Sequence, residues 1–382
     1  MQTYPITEAE RLALVRPAWE ELAQGRDAAG PFCTAAWHAA WWPAYGAGRR
    51  PLVLVAHDNG NIAGVAPLMR ASGTLRGLPV RIVSFMENSA ASRCDFVVSG
   101  RREAVIEAVL DHLDRCAGWD VLLLRKIPAR SETLALLPGL LKRRGMRYAI
   151  HESLRSPYLE INQDWERFFA GRSAKLRKDC RSTLRRLQAA GDVEMEEITD
   201  LAAFNRALPE LCAVADHSWK APLGTALSSR RHLSFFKLLA AEAAAKGWLS
   251  VWTLRLGGGM IAFEFDLRVG DVNHGLKAEF DERYREQRPG SVLHYLMMKA
   301  LFESGRRGYD HGGSTAFYKM RWTDKCLRHV DVAAFNRRLA GRALHTLEYG
   351  AVTKLRQARE WMQKRSGQGN GQTPRWLAVR VK

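Results

Sequence analysis

The chain is 382 residues long, which at roughly 150 residues per domain leaves room for two or three domains and excludes a single small module. Hydrophobic residues make up 47% and charged residues 26%, the balance of an ordinary folded protein, so wholesale disorder is excluded too. The formal charge of +18 is concentrated in two segments, 172–186 and 337–382, which argues for local anionic contacts and against a surface that coats nucleic acid.

The start, MQTYPITEAE, has no basic stretch leading into an apolar run, and no segment approaches 18 uninterrupted apolar residues. Neither a secretion signal nor a membrane span is expected, and the chain is placed in the cytoplasm. From Pro51, PLVLVAHDNGNIAGVAPL reads as two β-rich runs around Asp58-Asn59-Gly60-Asn61, a tight hairpin. A helix is expected from Arg102 to Cys116, leading into Gly118-Trp119-Asp120 and an LLL strand.

From Ser173 to Gly191 a Ser cap, apolar Leu176, Cys180, Leu184 and Leu187 at helical spacing, and a closing Gly predict a basic amphipathic helix. From Leu249 a second hairpin appears, LSVWTLRLGGGMIAFEFDLR. Laid over the first at a constant offset of 199, it brings Gly258-Gly259 onto Asn59-Gly60 and Ile261-Ala262 onto Ile62-Ala63. Again a helix follows, Ser291 to Ser304, and a strand at Gly308-Tyr309-Asp310. The chain therefore reads as two related α/β halves. A unit over 1–150 is followed by one over 151–340 that includes the basic helix at 173–190. The 341–382 tail closes the chain. In that tail Leu344, Leu347, Ala351, Leu355, Ala358 and Met362 share one face of a second basic amphipathic helix, before a flexible SGQGNGQTP. This tail suits peripheral contact with an anionic membrane surface, at the inner face. The six cysteines lie far apart, with no C-x-x-C pair and no zinc-finger spacing; a reducing compartment and no metal follow.

Chemistry is expected in the second half, because only that half places a basic, Gly-containing loop between strand and helix. The stretch Gln287-Arg288-Pro289-Gly290-Ser291-Val292 opens a helix, and N–H groups at a helix start, beside Arg288, suit a diphosphate. Gly290 is expected to let the backbone approach phosphate oxygens. In the strands before it, Glu264 and Asp266 share a face by period 2, while Asn273, His274 and Lys277 form a polar cluster. Either carboxylate is a candidate base, with Arg268 and Lys277 as competing salt partners. His217-Ser218-Trp219-Lys220 is a candidate lining for an acceptor pocket or a helix cap. Asp310 stands beside His311, but neighbours on a strand face opposite ways, so the two are not expected to form a relay.

The succession hairpin, strand, Q/R-x-x-G-x loop, helix and aromatic-ended strand resembles the GNAT acyltransferase core. It is more closely similar to the branch holding the CelD-type proteins of cellulose biosynthesis, and more distantly to FemAB-type aminoacyltransferases. The resemblance is carried by PFCTAAWHAAWWPAYG at Pro31, GVAPL at Gly64, RSAKLRKDCRSTLRRLQAAG at Arg172, SWKAPLGTAL at Ser218, RPGSVLHYLMMKALFESG at Arg288 and YDHGGSTAFYKMRW at Tyr309. It implies two fused GNAT-like α/β folds, each a mixed sheet flanked by helices, and an acyl-CoA or acyl carrier protein donor for an N-acetyltransferase-type reaction on an unidentified acceptor.

The resemblance also implies site roles. Gln287, Arg288, Gly290, Ser291, Val292 and Lys277 would hold the donor, and His217, Trp219, Lys220 and His274 the acceptor. Glu264, Asp266 and Asp310 are the acid–base carboxylates, and Tyr318 is the acid that protonates the departing thiolate. Two alternatives stand beside it: an aminoacyl-tRNA-dependent transferase, and a non-catalytic scaffold at a membrane-associated polysaccharide machinery. The long helical hairpin that many aminoacyl-tRNA users carry is not evident.

Overall fold

A computed structural model describes residues 1–24, 30–116, 118–351 and 379–381. The chain passes twice through one plan. The first pass is β1 (Gln2–Ile6), α1 (Leu12–Ala23), α2 (Ala35–Tyr45), an antiparallel meander of β2 (Arg50–Asp58), β3 (Asn61–Leu75) and β4 (Leu78–Phe85), the short β5 (Val97–Val98), α3 (Arg102–Arg115), β6 (Val121–Pro128), α4 (Glu132–Arg143) and β7 (Arg147–Glu160). Two helices, α5 (Trp165–Ala170) and α6 (Ala174–Gln188), lead to the second pass. It comprises β8 (Val193–Ile198), α7 (Leu201–Asp216), α8 (Arg230–Ala245), the meander β9 (Leu249–Leu256), β10 (Gly259–Val269) and β11 (Val272–Phe280), then α9 (Pro289–Glu303), β12 (Gly308–Asp310), the single turn α10 (Phe317–Met320) and β13 (Cys326–Phe335).

The hairpins have local causes. Asn59 and Gly60 both take positive φ, 50° and 85°, as do Gly257 and Gly258, at 56° and 83°, the backbone a two-residue turn between twisted strands requires. Each hairpin also carries a bulge just past its turn, where Ala63 and Ile261 fall out of the pairing. Turn and bulge superpose at an offset of 198, so the expected offset of 199 is one residue too long. It had matched the side chains Ile-Ala rather than the turn that sets the register.

The strands form one mixed sheet in the order β1-β2-β3-β4-β6-β13-β7-β12-β11-β10-β9-β8. β4 with β6 and β11 with β12 are the parallel pairs, and each is bridged by a helix, α3 or α9, because a parallel connection needs a crossover. In the middle the repeats exchange their last strands: β13 lies beside β6, and β7 lies between β13 and β12. Residue 150 is inside β7, whose Arg147–Pro157 stretch pairs β13 and whose Tyr158–Glu160 stretch pairs β12. The α2 and α8 helices meet across the repeats, with the Trp37 ring edge-on to Phe235 at 5.0 Å. A second core under α9 gathers Trp165, Phe168, Met297, Met298 and Phe302.

The tail begins with α11 (Leu339–His345), which packs Leu344 against the sheet beside Phe335, and continues as a wider helical turn over Thr346–Ala351. Buried Glu348 there pairs with Arg76 at 2.7 Å. β14 (Val379–Val381) pairs with β3. Leu355, Ala358, Met362 and the SGQGNGQTP stretch lie outside the described residues. No helix among the described residues is long and apolar enough to cross a membrane.

Candidate active site

The site forms where β11 and β12 part. They pair only from Val272 to His274 and from Gly308 to Asp310. A bulge at Leu276 then bends β11 away, while β12 ends in Gly312 and Gly313 with positive φ. Gly312 is required there: a Cβ would stand 2.5 Å from the carbonyl oxygen of Gly275.

Glu264 and Asp266 lie on the floor of this split, on one face of β10, as period 2 predicts. The Tyr309 hydroxyl donates to Glu264 Oε2 at 3.2 Å and lies 3.5 Å from Asp266 Oδ1. From the second turn of α9, the His294 imidazole places Nδ1 2.9 Å from Glu264 Oε1, while its Nε2 has no hydrogen-bond partner among the described residues. Since Glu264 already accepts from Tyr309, the arrangement fits an imidazole donating through Nδ1–H and keeping an acceptor lone pair at Nε2. Burial, then the neighbouring Glu264 charge, pushes the Asp266 carboxyl well above its ordinary range. Burial pushes the Tyr309 and Tyr318 phenols up, with Asp266 and Glu264 respectively the largest charges adding to it. Burial and the nearby His294 push the His311 imidazole far down.

Two chambers meet at Glu264 and His294. The outer one, about 380 Å³, is walled by the apolar stripe of α6 (Leu176, Cys180, Thr183), Phe263, Phe280 and Trp322, with Arg288, Gly290 and Ser291 of the α9 start at its rim. Trp219, Tyr318 and the Arg321–Asp179 pair, 2.5 Å apart, complete it. The inner one, about 100 Å³, adds Asp266, Lys277, Tyr309, His311 and Lys319, together with Ser89 and Ala90 from the first repeat. Lys220, Glu264, Ala278, His294 and Tyr318 line both. The basic helix is thus a wall: its apolar stripe faces the outer chamber while Lys175, Lys178, Arg181, Arg185 and Arg186 are exposed.

Of the residues singled out from sequence, the structure brings together Glu264, Asp266, Lys220, Trp219, Tyr318, Lys277, Arg288, Gly290 and Ser291. Others lie elsewhere. Asp310 is buried in an ion pair with Arg93 of the first repeat, with His274 Nδ1 3.6 Å away, outside both chambers. Desolvation is the largest influence and opposes its ionisation, but the Arg93 charge, His274 and the Gly312 N–H together outweigh it and hold the carboxyl far below its usual range. His217 closes α7, its Nδ1 2.8 Å from the Ala213 carbonyl. Gln287 ends a 3-10 turn, and Val292 is buried under α9. Lys277 turns its ammonium to Thr225, Glu279 and His232 rather than to the loop expected to hold phosphate. The left-handed residue of that loop is Arg288 (φ 54°), while Gly290 is helical and matters by size: a Cβ would meet the Phe280 ring at 3.2 Å.

Sequence reading missed His294, Lys319, Arg321 and Trp322 as site residues and considered His311 only as a relay partner of Asp310. For His294 the available signal was one imidazole in the apolar run SVLHYLMMKAL.

Residues 174–320 match the family model of the acetyltransferase (GNAT) domain. No curated protein matches the sequence. Among solved structures the chain is similar to FemX (TM-score 0.57, 15% identity, 91% of this chain and 99% of that one). It is also similar to the C-terminal domain assigned to a lysylphosphatidylglycerol synthetase of Agrobacterium fabrum (0.54, 14%, 87% and 95%). A third is L-PGS from Bacillus licheniformis (0.51, 12%, 89% and 95%). The split sheet and the crossover helix agree with these likenesses: the chain folds as two tandem GNAT-like halves, and the second holds the stretch that matches the acetyltransferase (GNAT) domain model.

Proposed function

We propose that the protein transfers an acyl group from an acyl-CoA thioester to an amine or hydroxyl acceptor. The observation that carries this reading is the Glu264–His294 pair at the meeting point of the two chambers. In this reading the outer chamber takes the pantetheine arm, with the donor diphosphate against the start of α9 and Arg288. The inner chamber takes the acceptor. His294 Nε2 removes the acceptor's proton while Glu264 holds the imidazole in register and offsets its charge. The freed nucleophile forms its bond to the thioester carbonyl carbon, the C–S bond breaks, and the thiolate takes the phenolic proton of Tyr318. The raised phenol keeps that proton at neutral pH. Asp266, whose carboxyl burial and the Glu264 charge push up, lies beside Glu264 on the same floor.

Calorimetric titration of acetyl-CoA, followed by thiol release in the presence of amines, tests the reading. Binding that Gly290→Glu abolishes, with turnover that His294→Gln removes, is expected. No CoA binding by the folded protein would leave the scaffold reading in first place. A second reading, transfer from an aminoacyl-tRNA, is favoured by one observation, the exposed basic face of α6 beside the outer chamber. It predicts tRNA binding that weakens steeply with salt. A role in polysaccharide assembly rests on the sequence resemblance to CelD-type proteins, and cytoplasmic action on where acyl-CoA is found.

A further inference from the structure

The inner chamber has an excess of hydrogen-bond donors. An ammonium carries three N–H donors. Lys277 commits its own to the Thr225 carbonyl, to Glu279 at 3.0 Å and to His232 Nδ1 at 3.2 Å. Lys319 gives two, to the carbonyls of His311 and Gly312, both at 2.7 Å. Lys220 gives one, to the Ala278 carbonyl at 2.8 Å. Among the described residues, one donor of Lys319 and two of Lys220 have no oxygen or nitrogen acceptor; each ammonium has only a ring face beside it, Tyr318 at 5.8 Å and Trp219 at 5.7 Å respectively. The nearby carboxylates do not take them: in the inner chamber Glu264 accepts from His294 and Tyr309 and Asp266 sits beside Tyr309, and in the outer one Glu279 accepts from Lys277 and the Leu227 N–H. The Nε2 atom of His311, whose residue is 4% exposed, has no partner either.

Uncommitted ammonium donors in a half-closed chamber are costly unless a ligand completes them, and an oxyanion completes them with charge-assisted bonds. The volume, about 100 Å³, suits a small group such as one carboxylate or one phosphate.

Resting on the acyl-transfer reading above, we infer that the acceptor is a small anionic amine or alcohol, whose carboxylate or phosphate is held between Lys220 and Lys319 while its nucleophile faces His294. Specificity then follows from the charge pattern. Glu264, whose two oxygens already accept from His294 and Tyr309, offers an oxyanion no donor, so the oxyanion lies toward the two ammonium groups and the nucleophile toward Glu264. A neutral amine of the same length leaves the ammonium donors unpaired and gains nothing from them.

The test uses the full chain and matched probes: β-alanine and phosphoethanolamine against propylamine and ethanolamine. Each is titrated calorimetrically into the protein with and without CoA, then offered with acetyl-CoA in a thiol-release assay. The anionic amines are expected to bind about tenfold or more tightly than the neutral ones. Their ranking separates a carboxylate acceptor from a phosphate one. Lys220→Gln and Lys319→Gln are each expected to erase that preference, and Lys319→Gln, at a residue that lines only the inner chamber, to leave CoA affinity within about twofold. If neutral and anionic amines bind the wild type alike, the inference is overturned without reference to any variant. It is overturned as well if the preference survives both substitutions in variants whose circular dichroism matches wild type. Failure of CoA to bind defeats the acyl-transfer reading separately, because the titrations without CoA still report on the chamber.

Discussion

The two repeats part their central strands in the same place and use the gap in different ways. In the first, Lys126 of β6 reaches back to the segment after β4, bonding Glu87 Oε2 at 2.6 Å and the carbonyls of Asn88 and Ala91 at 2.7 and 3.0 Å, so the split is laced shut. The loop it pins supplies Ser89 and Ala90 to the inner chamber of the other repeat. At the start of α3 a buried guanidinium, Arg102, spends itself on the Phe96 carbonyl and Thr133, and Glu103 brings a carboxylate into the first turn. The start of α9 has no acidic residue and faces a chamber. A helix N-terminus serves an anionic ligand only where the protein has not already filled it. One repeat lends a wall to the chamber, and the other carries the residues proposed for the chemistry.

The sharpest way to break this comparison is His294→Gln. It removes the proton acceptor at the chamber junction and should lower turnover by roughly 10²- to 10⁴-fold with CoA affinity retained. Single-turnover thiol release reads the first and calorimetry the second; unchanged turnover would assign His294 to packing.

The junction between repeats comes next. Arg93→Leu strands the Asp310 carboxylate in a buried site and should cost about 3–5 kcal/mol in urea unfolding. The pH sign follows from the same pair. Asp310 is held far below its unfolded value, so the pair's contribution is complete above the ordinary Asp range, about pH 4. It is lost as pH falls below that range, because the unfolded chain then binds a proton that the folded one refuses. Wild type should therefore lose stability on acidification more steeply than Arg93→Leu.

Placing one carboxylate at each helix start compares the repeats directly. Gly290→Glu should weaken CoA at least about a hundredfold, through lost charge-assisted hydrogen bonds and collision with the Phe280 ring. Ala104→Glu, at the start of α3, should leave CoA affinity within about twofold. Equal losses would mean that both helix starts bind donor.

Two smaller effects complete the series. Tyr318→Phe should lower turnover about 10²-fold, toward the lower end for a lost acid, because the half-exposed phenol can be replaced by water. Burial, with Lys277 and Lys319 adding to it against Glu279 and Glu264, brings the Lys220 ammonium down to about 8. Affinity for an anionic amine should consequently fall as pH rises through that value, and Lys220→Gln should flatten the dependence.

Much of the fold was legible from local signals. Positive-φ turn residues, Ser173 before an amphipathic stripe, and two strand–helix–strand passages are decided within a few residues by backbone sterics and side-chain spacing, so they survive in any context. The pairing of Glu264 with Asp266 was legible for the same reason, since period 2 is a property of one strand. Tyr318, Lys220 and Trp219 were legible as strings but not as a chamber.

What escaped is long-range. Nothing near His294 in sequence announces Glu264, thirty residues away on another element, and an imidazole in an apolar helix looks like core until the opposite wall is known. Asp310 read as a candidate in the chemistry because its partner, Arg93, lies in the other repeat. The exchange of β7 and β13 has no local signature either: both are ordinary strands, and which neighbour each pairs with depends on how the two sheets meet. Composition, charge placement and the doubled α/β plan were determined by the sequence alone. Which split stays open, which carboxylate is spent on an ion pair and which ammonium groups keep donors in reserve were decided by the tertiary structure, because burial and pairing are properties of groups brought together across the chain.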